Sequence, residues 1–158
     1  MTSSVTLLSS SVKPQTDCGN GWHRYRTGCI RFFTQSKERV KANSHCKLFE
    51  TSNGKRGCMI KIPSIEDNDK VVSLAPQNGR YYIGLTDQDQ EGVYRWKGTT
   101  DDATYFNWQL GYPHAINIEE NRDCTVISTH PDNSYGKWST VPCSNSWFYI
   151  CECESACS

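Results

Sequence analysis

Cysteine is the feature that most restricts the fold of this chain, because nine of its 158 residues are cysteines. None shows the double Cys-x-x-Cys or the Cys/His spacing of a zinc site. Disulfide bonds persist in oxidising compartments, so this usage predicts an extracellular or secreted domain, or the ectodomain of a surface protein. Because nine is odd, at least one thiol is expected to be free, bonded to another chain or separated from its partner.

Length and net charge restrict the number of domains and the kinds of partner. A chain of 158 residues is long enough for one hydrophobic core, so we expect one domain. The 17 basic and 17 acidic residues cancel, which argues against nucleic acid or an anionic membrane as a partner. No apolar run approaches the roughly 18 residues of a membrane span. We therefore expect a soluble, mature or recombinant segment, with a Ser/Thr-rich disordered tail at residues 1–17.

Periodicity predicts two helices in the first half of the chain. Apolar residues recur at i, i+4 and i+7 within residues 36–49, which turns Cys46 toward the core. Ser64 is placed to cap a second helix, Ile65–Leu74, with two acids in its first turn. Short apolar or alternating runs predict strands at residues 29–33, 59–62, 81–85, 93–97, 124–127, 137–140 and 148–151. Helices early and strands later indicate an α+β domain.

Several short motifs follow one another along the chain in a fixed order. They are Cys18 and Cys29, Ala42-x-x-x-Cys46, Tyr82-Ile83-Gly84-Leu85, Phe106-x-Trp108, Cys124, Gly136-x-Trp138, Cys143 and Ile150-Cys151-Glu152. In this order and spacing the set resembles the long form of the C-type lectin-like domain. The resemblance implies a disulfide-stapled α+β fold with two helices, short antiparallel sheets and a long ligand-binding loop. We expect this domain at residues 18–153 and a tail at 154–158.

The resemblance also implies how most of the cysteines pair. Three bonds follow from it, namely Cys18 with Cys29, Cys46 with Cys151, and Cys124 with Cys143. Three cysteines lie outside that framework. We expect a fourth bond between Cys58 and Cys153, because one opens an early strand and the other follows the last one. Cys157 would then be left in the tail for an interchain bridge and a disulfide-linked dimer.

The sugar-binding motifs of the family are replaced in this chain. Sugar-binding members hold a calcium ion with a Glu-Pro-Asn triplet, a Glu before a framework cysteine and the Asn-Asp of a Trp-Asn-Asp strand. The matching positions here are Tyr112-Pro113-His114, Arg122 and Trp138-Ser139-Thr140. Calcium requires six to eight oxygen ligands, several of them charged. The sequence therefore predicts no calcium at this primary site, unless Glu119 or Glu120 moves into it.

A second set of acids matches an auxiliary calcium of the loop. Asp87, Glu91 and Asp123 are its members, and Glu119 or Glu120 could add a fourth carboxylate. The alternative is that these acids cap turns and pair with Arg122.

A third candidate resembles a structural calcium position far from the loop. It consists of Asp67, Glu152 and the Lys61 carbonyl. The alternative there is an acid at a helix N-terminus and an exposed glutamate.

The long loop region is where we expect binding, because long ordered loops on a rigid scaffold commonly carry function. Our first hypothesis is an extracellular module that binds a protein or a glycan without the usual calcium chelation. Its surface would be formed by Tyr112, His114, Arg122, Ser139 and Thr140. A second hypothesis is a calcium-dependent lectin with a rearranged site, and a third is a structural or matrix assembly protein. The sequence contains no nucleophile elbow, phosphate loop or zinc-protease motif, so no enzyme is expected.

Overall fold

The structure is a computed structural model that describes residues 17–113 and 121–158. Within these residues the chain forms two helices and eight strands. The helices are α1 (Arg39–Cys46) and α2 (Ile65–Leu74). The strands are β1 (His23–Tyr25), β2 (Gly28–Lys37), β3 (Cys58–Met59), β4 (Arg80–Thr86), β5 (Arg95–Trp96), β6 (Cys124–Ser128), β7 (Trp138–Val141) and β8 (Trp147–Cys153). The predicted α+β class and its two helices are confirmed.

The described strands join into one mixed sheet rather than separate antiparallel ones. Their order is β1-β2-β8-β4-β6-β7, with β3 added to β8 and β5 added to β4. The pair β4 and β8 is parallel, and the other pairs of strands are antiparallel. The parallel contact places the last strand in the middle of the sheet, so the end of the chain closes the core.

Local sequence signals predict the bounds of one helix correctly and those of the other only in part. Helix α2 has the predicted bounds, and the Ser64 side chain accepts a hydrogen bond from the Asp67 backbone N–H at 3.1 Å. Helix α1 is shorter than predicted, because Lys37 pairs with Trp147 in the sheet and the helix begins only at Arg39. No helix in the described parts of the chain combines the length and the apolar character needed to cross a membrane.

Glycine at position 84 allows the central strand to pack closely. The Gly84 N–H donates to the Ile60 carbonyl oxygen at 2.8 Å. A Cβ atom at this position would lie 2.9 Å from the same oxygen and 3.1 Å from that of Met59. Any larger residue would push β4 away from this segment, which explains why Gly84 interrupts the apolar run of β4.

Three of the four predicted disulfide bonds are confirmed. The structure joins Cys18 with Cys29, Cys46 with Cys151, and Cys124 with Cys143. The second of these spans 105 positions of sequence and ties α1 to the central strand β8. It lies in a buried cluster with Tyr82, Val126 and Tyr149.

The predicted bond between Cys58 and Cys153 is wrong. Cys58 lies opposite Glu152 in the β3–β8 pair, and successive side chains of a strand point to opposite faces. Cys153 therefore faces away from Cys58 and bonds Cys157 instead. The predicted interchain bridge through Cys157 is wrong for the same reason, and the free thiol is Cys58.

The residues after Cys153 pack back onto the domain. The backbone of Cys157 pairs with that of Thr51 in an isolated antiparallel β-bridge. Next to it, the backbones of Glu50 and Ser158 exchange two hydrogen bonds of 3.1 and 3.3 Å. Cys157 is buried by this arrangement. The hairpin after α1 and the end of the chain thus stabilise each other.

Candidate functional site

The long loop is fastened to the sheet at Trp138. The Trp138 N–H donates to the Asn107 carbonyl at 2.8 Å, and the Gln109 N–H donates to the Trp138 carbonyl at 2.8 Å. The Trp138 indole is fully buried and donates through Nε1 to the Asn68 side chain at 2.8 Å. Asn68 is on α2. Trp138 therefore anchors three parts of the structure to one another, namely the first half of the loop, β7 and α2.

Aromatic rings fill the space under the loop. Trp138 makes edge contacts with Trp96, Tyr105 and Trp108 at centroid distances of 5.5 to 6.0 Å. Trp108 in turn stacks on Phe106 at 5.8 Å. These tryptophans are packing residues that support the loop from below.

An acidic cluster forms where β4 ends and β6 begins. Its members are Asp87, Glu91 and Asp123, whose nearest ligand oxygens all lie within 4.8 Å of one another. The sheet brings them together, because Thr86 pairs with Cys124 and the Thr86 hydroxyl donates to the Asp123 carbonyl at 2.6 Å. The three predicted loop acids that the structure describes are therefore neighbours. Glu119 and Glu120 lie outside the described residues.

The cluster is electrostatically unfavourable as it stands. Asp87 is only 2% exposed; its Oδ2 accepts from the Gly92 N–H at 2.9 Å, and its Oδ1 has no hydrogen-bond partner among the described residues. Burial raises the pKa of Asp87, and the nearby Glu91 carboxyl raises it too. Burial and the charge of Asp87 also raise the pKa of Asp123. Three close acids, one of them with a buried and unpartnered carboxylate oxygen, are a fitting ligand set for a hard cation such as Ca²⁺.

The predicted ligand surface is only partly exposed. Ser139 and Thr140 lie in β7 opposite Val126 and Thr125, and the two residues are 8% and 1% exposed. Tyr112 is half-buried in the loop, and its N–H donates to the Gln109 carbonyl at 3.0 Å. His114 lies outside the described residues. The ligand-binding role of these residues stays a prediction, and burial leaves Thr140 little side-chain surface for a ligand.

Arg122 lies against β7. Its Nη1 donates to the Thr140 carbonyl oxygen at 3.2 Å, and the side chain is half-buried. The two positions that the resemblance assigns to calcium ligands, before Cys124 and in β7, are thus in contact. In this chain a guanidinium group is what joins them.

The third candidate cation position contains an arginine. Arg26 reaches Asp67 and Glu152, with nitrogen–oxygen distances of 3.9 Å to each. The Lys61 carbonyl accepts from the Tyr25 hydroxyl at 2.6 Å, and the Lys61 N–H donates to Glu152 at 2.9 Å. Sequence reasoning found the acids and the carbonyl but missed Tyr25 and Arg26, because the hairpin that carries them meets α2 only in three dimensions.

Burial raises the pKa of Glu152 to about 7 from an ordinary 4.5, although the Lys61 N–H and Arg26 lower it. The folded state therefore holds this proton more tightly than the unfolded state. Stability contributed by the protonated carboxyl is complete below pH 4.5 and is lost as the pH rises to about 7. We expect up to about 3 kcal/mol of pH-dependent unfolding free energy from this group. Denaturant unfolding should show a flatter pH profile for Glu152→Gln than for the wild type, and equal profiles would contradict this assignment.

A family model described as the Lectin C-type domain matches residues 35–153. The chain belongs to the C-type lectin domain family. This confirms the family predicted from the motifs. The family and fold are those of binding modules rather than enzymes, and calcium is a typical ligand within it.

Relatives cover almost all of this C-type lectin domain. A perlucin-like protein of Mytilus galloprovincialis is 26% identical over 152 residues, which are 93% of this chain and 90% of the relative. An alpha-N-acetylgalactosamine-specific lectin of Patiria pectinifera is 30% identical over 163 residues, 94% of this chain and 92% of the relative.

Solved structures confirm the predicted fold. Human lithostathine superposes with a TM-score of 0.72 at 22% identity, covering 89% of this chain and 92% of lithostathine. The carbohydrate-recognition domain of the mouse scavenger receptor C-type lectin gives 0.73 at 22% identity, covering 88% of this chain and 99% of that domain. At this identity the likeness establishes the fold alone.

Proposed function

We propose that this C-type lectin domain is an extracellular recognition module that binds a glycan or a protein through its long-loop surface, without a calcium ion at the primary sugar site. The contact of Arg122 with the Thr140 carbonyl carries this proposal. It fixes a guanidinium at two positions that supply calcium ligands in sugar-binding members. Two unit charges of like sign about 4 Å apart repel by about 4 kcal/mol at an effective dielectric of 20.

The residues of β7 support the same conclusion. Thr140 is opposite Thr125 in the sheet and almost completely buried. Neither Ser139 nor Thr140 carries the carboxylate or amide oxygen that chelation of a sugar-bound calcium needs. Tyr112 and Arg122 then remain as the half-exposed members of the predicted surface that the structure describes. A tyrosine ring and a guanidinium suit stacking and hydrogen bonding to a sugar or a protein.

An extracellular location is supported by the four disulfide bonds. A glycan ligand is supported by the Patiria pectinifera relative, whose name specifies alpha-N-acetylgalactosamine.

Binding measurements on glycan arrays, with calcium and with excess chelator, test the proposal. We expect glycan signals that persist in chelator and that fall when Tyr112 is replaced by alanine. Leu110→Ala, which removes an exposed apolar side chain from the same loop, serves as the comparison and should leave the glycan signals unchanged. Glycan binding that disappears completely in chelator would overturn the proposal in favour of a calcium-dependent lectin.

The acidic cluster favours that second candidate. Asp87, Glu91 and Asp123 would hold Ca²⁺ through carboxylate oxygens, and the unpartnered Asp87 Oδ1 suits such an ion. When bound, the ion would neutralise the mutual repulsion of the acids and hold the start of the long loop against β6. Such a calcium would have a structural role if the domain is the calcium-independent module, and it would bind the ligand if the domain is a calcium-dependent lectin.

Calcium is expected to stabilise the wild-type domain but not the Asp87→Asn variant. At a calcium concentration 100 times the dissociation constant, binding adds about 3 kcal/mol to the free energy of unfolding. Because the pKa values of Asp87 and Asp123 are raised, protons should displace calcium at a higher pH than from ordinary carboxylates. Calorimetric titration and thermal melts at several pH values measure both effects.

Asp101→Asn removes an exposed acid outside the cluster and is the matched control. It should bind calcium as the wild type does. Equal calcium stabilisation of Asp87→Asn and wild type would show that this cluster is not a calcium site.

A further inference from the structure

A cleft beside β3 and β8 has five basic residues and two acidic residues in its lining. Its volume is about 200 Å³, and its walls include Arg26, Lys55, Arg56, Lys61 and Lys97. We call it the basic cleft. Within the part of the chain that the structure describes, none of the acidic-cluster residues or the predicted loop ligands lines it. The chain as a whole carries no net charge, so this concentration of cations is a local feature.

Four separate segments bring these cations together. Arg26 occupies the turn between β1 and β2, with φ of 51°. Lys55 and Arg56 belong to the hairpin after α1, in which the Thr51 N–H donates to the Lys55 carbonyl at 2.8 Å. Lys61 follows β3, and Lys97 follows β5. The positions of the backbones are therefore set by the fold, while the long side chains are free to adjust to a ligand.

Most of these cations form no ion pair with the acids that the structure describes. Within residues 17–113 and 121–158, Arg26 forms ion pairs with Asp67 and Glu152, whereas Lys55, Arg56, Lys61 and Lys97 form none. The acids on the cleft wall are Glu152 and Glu154. The Glu152 side chain is 13% exposed and is already engaged by Arg26 and the Lys61 N–H. Four cations thus face the cleft, and Glu154 is the acid of the described lining that is not already engaged.

The chemistry of the cleft favours a ligand with several negative groups. A single small anion cannot span cations carried by separate segments, but a chain of anionic groups can contact them in turn. Three of the four unpaired cations are lysines, whose compact ammonium groups suit singly charged sulfate esters, whereas arginine forks favour bidentate phosphate recognition. We propose that the basic cleft binds the sulfate groups of an anionic polysaccharide, separately from any ligand of the long loop.

Binding of a heparin oligosaccharide, measured by calorimetry in chelator, tests this proposal without involving calcium. The triple variant Lys55→Gln, Arg56→Gln and Lys97→Gln should bind about tenfold more weakly, a loss of about 1.4 kcal/mol of binding free energy, because three weak exposed charge contacts are removed. Glu154→Gln should bind more tightly than the wild type, since it removes an acid from the cleft. Both effects should shrink as salt is raised, because salt screens exposed charges.

The matched control is Lys41→Gln, Lys47→Gln and Lys70→Gln, which removes the same charge from exposed sites outside the cleft. This control should keep wild-type affinity. An equal loss in both triple variants would show a non-specific charge effect and overturn the assignment. Tighter binding of a phosphorylated peptide of equal charge, or equal binding of a polysaccharide with carboxylates but no sulfates, would overturn the choice of ligand. Loss of the cleft ligand would leave the long-loop proposal intact, since each is measured with its own probe.

Discussion

Replacing Cys46 and Cys151 together by alanine is expected to lower the free energy of unfolding by about 4 to 5 kcal/mol. The bond closes a loop of 105 positions, and opening it gives the unfolded chain much more conformational freedom. Both cysteines are fully buried, so alanine avoids placing an unsatisfied polar group in the core. Guanidinium unfolding followed by tryptophan fluorescence measures the loss. The domain has many tryptophans, and Trp138 reports directly on the core.

The Cys18–Cys29 bond supplies a matched comparison within the same chain. It spans 11 positions and should contribute about 3 kcal/mol in the same account of loop closure. The double alanine variant at these positions is therefore expected to remain about 2 kcal/mol more stable than the Cys46/Cys151 variant. Equal losses would indicate that native-state packing, rather than freedom of the unfolded chain, determines what these bonds contribute.

The framework of the fold could be predicted from the sequence because each landmark has a demanding local environment. Gly84 is required where β4 meets the Ile60 carbonyl, and Trp138 is required where three other rings and Asn68 converge. Such positions leave a readable motif in the sequence. The capped start of α2 at Ser64 is equally local, and its bounds were predicted without error.

Features that depend on strand register were not predictable. The choice between Cys58 and Cys157 as the disulfide partner of Cys153 turns on a shift of one residue in the pairing of β3 with β8. The burial of Thr140 depends likewise on its position opposite Thr125. A sequence shows the order of such residues along the chain but not the face of the sheet to which each side chain points.

Charged partners from distant segments form the other unpredicted class. Arg26 forms ion pairs with Asp67 and Glu152, which lie 41 and 126 positions further along the sequence. No local sequence pattern predicts these contacts. The basic cleft has the same origin, because its cations come from segments that converge only in the folded chain. The acidic cluster was predictable in contrast, since the family motifs mark its members individually and the β4–β6 pair joins them.

Replacing Trp138 by alanine is expected to cost about 3 to 5 kcal/mol of unfolding free energy, the usual range for removing a buried large aromatic side chain. The variant loses ring contacts with Trp96, Tyr105 and Trp108 and leaves the Asn68 oxygen without its donor. Trp138→Phe should cost less, because it keeps part of the packing and loses mainly the N–H. Thermal and denaturant unfolding of the two variants separates the packing contribution from that of the hydrogen bond.

Leu110→Ala is the control for this last prediction, because Leu110 is on the same loop and 98% exposed. It should change the free energy of unfolding by less than about 0.5 kcal/mol. Trp138 also carries both backbone hydrogen bonds that fasten the loop, through Asn107 and Gln109. We therefore expect Trp138→Ala to raise amide exchange at position 138 and at Gln109 beyond the change in global stability, whereas Leu110→Ala should not. If amide exchange follows global stability alone, the other contacts of the loop hold it in place. The long-loop surface would then not depend on Trp138.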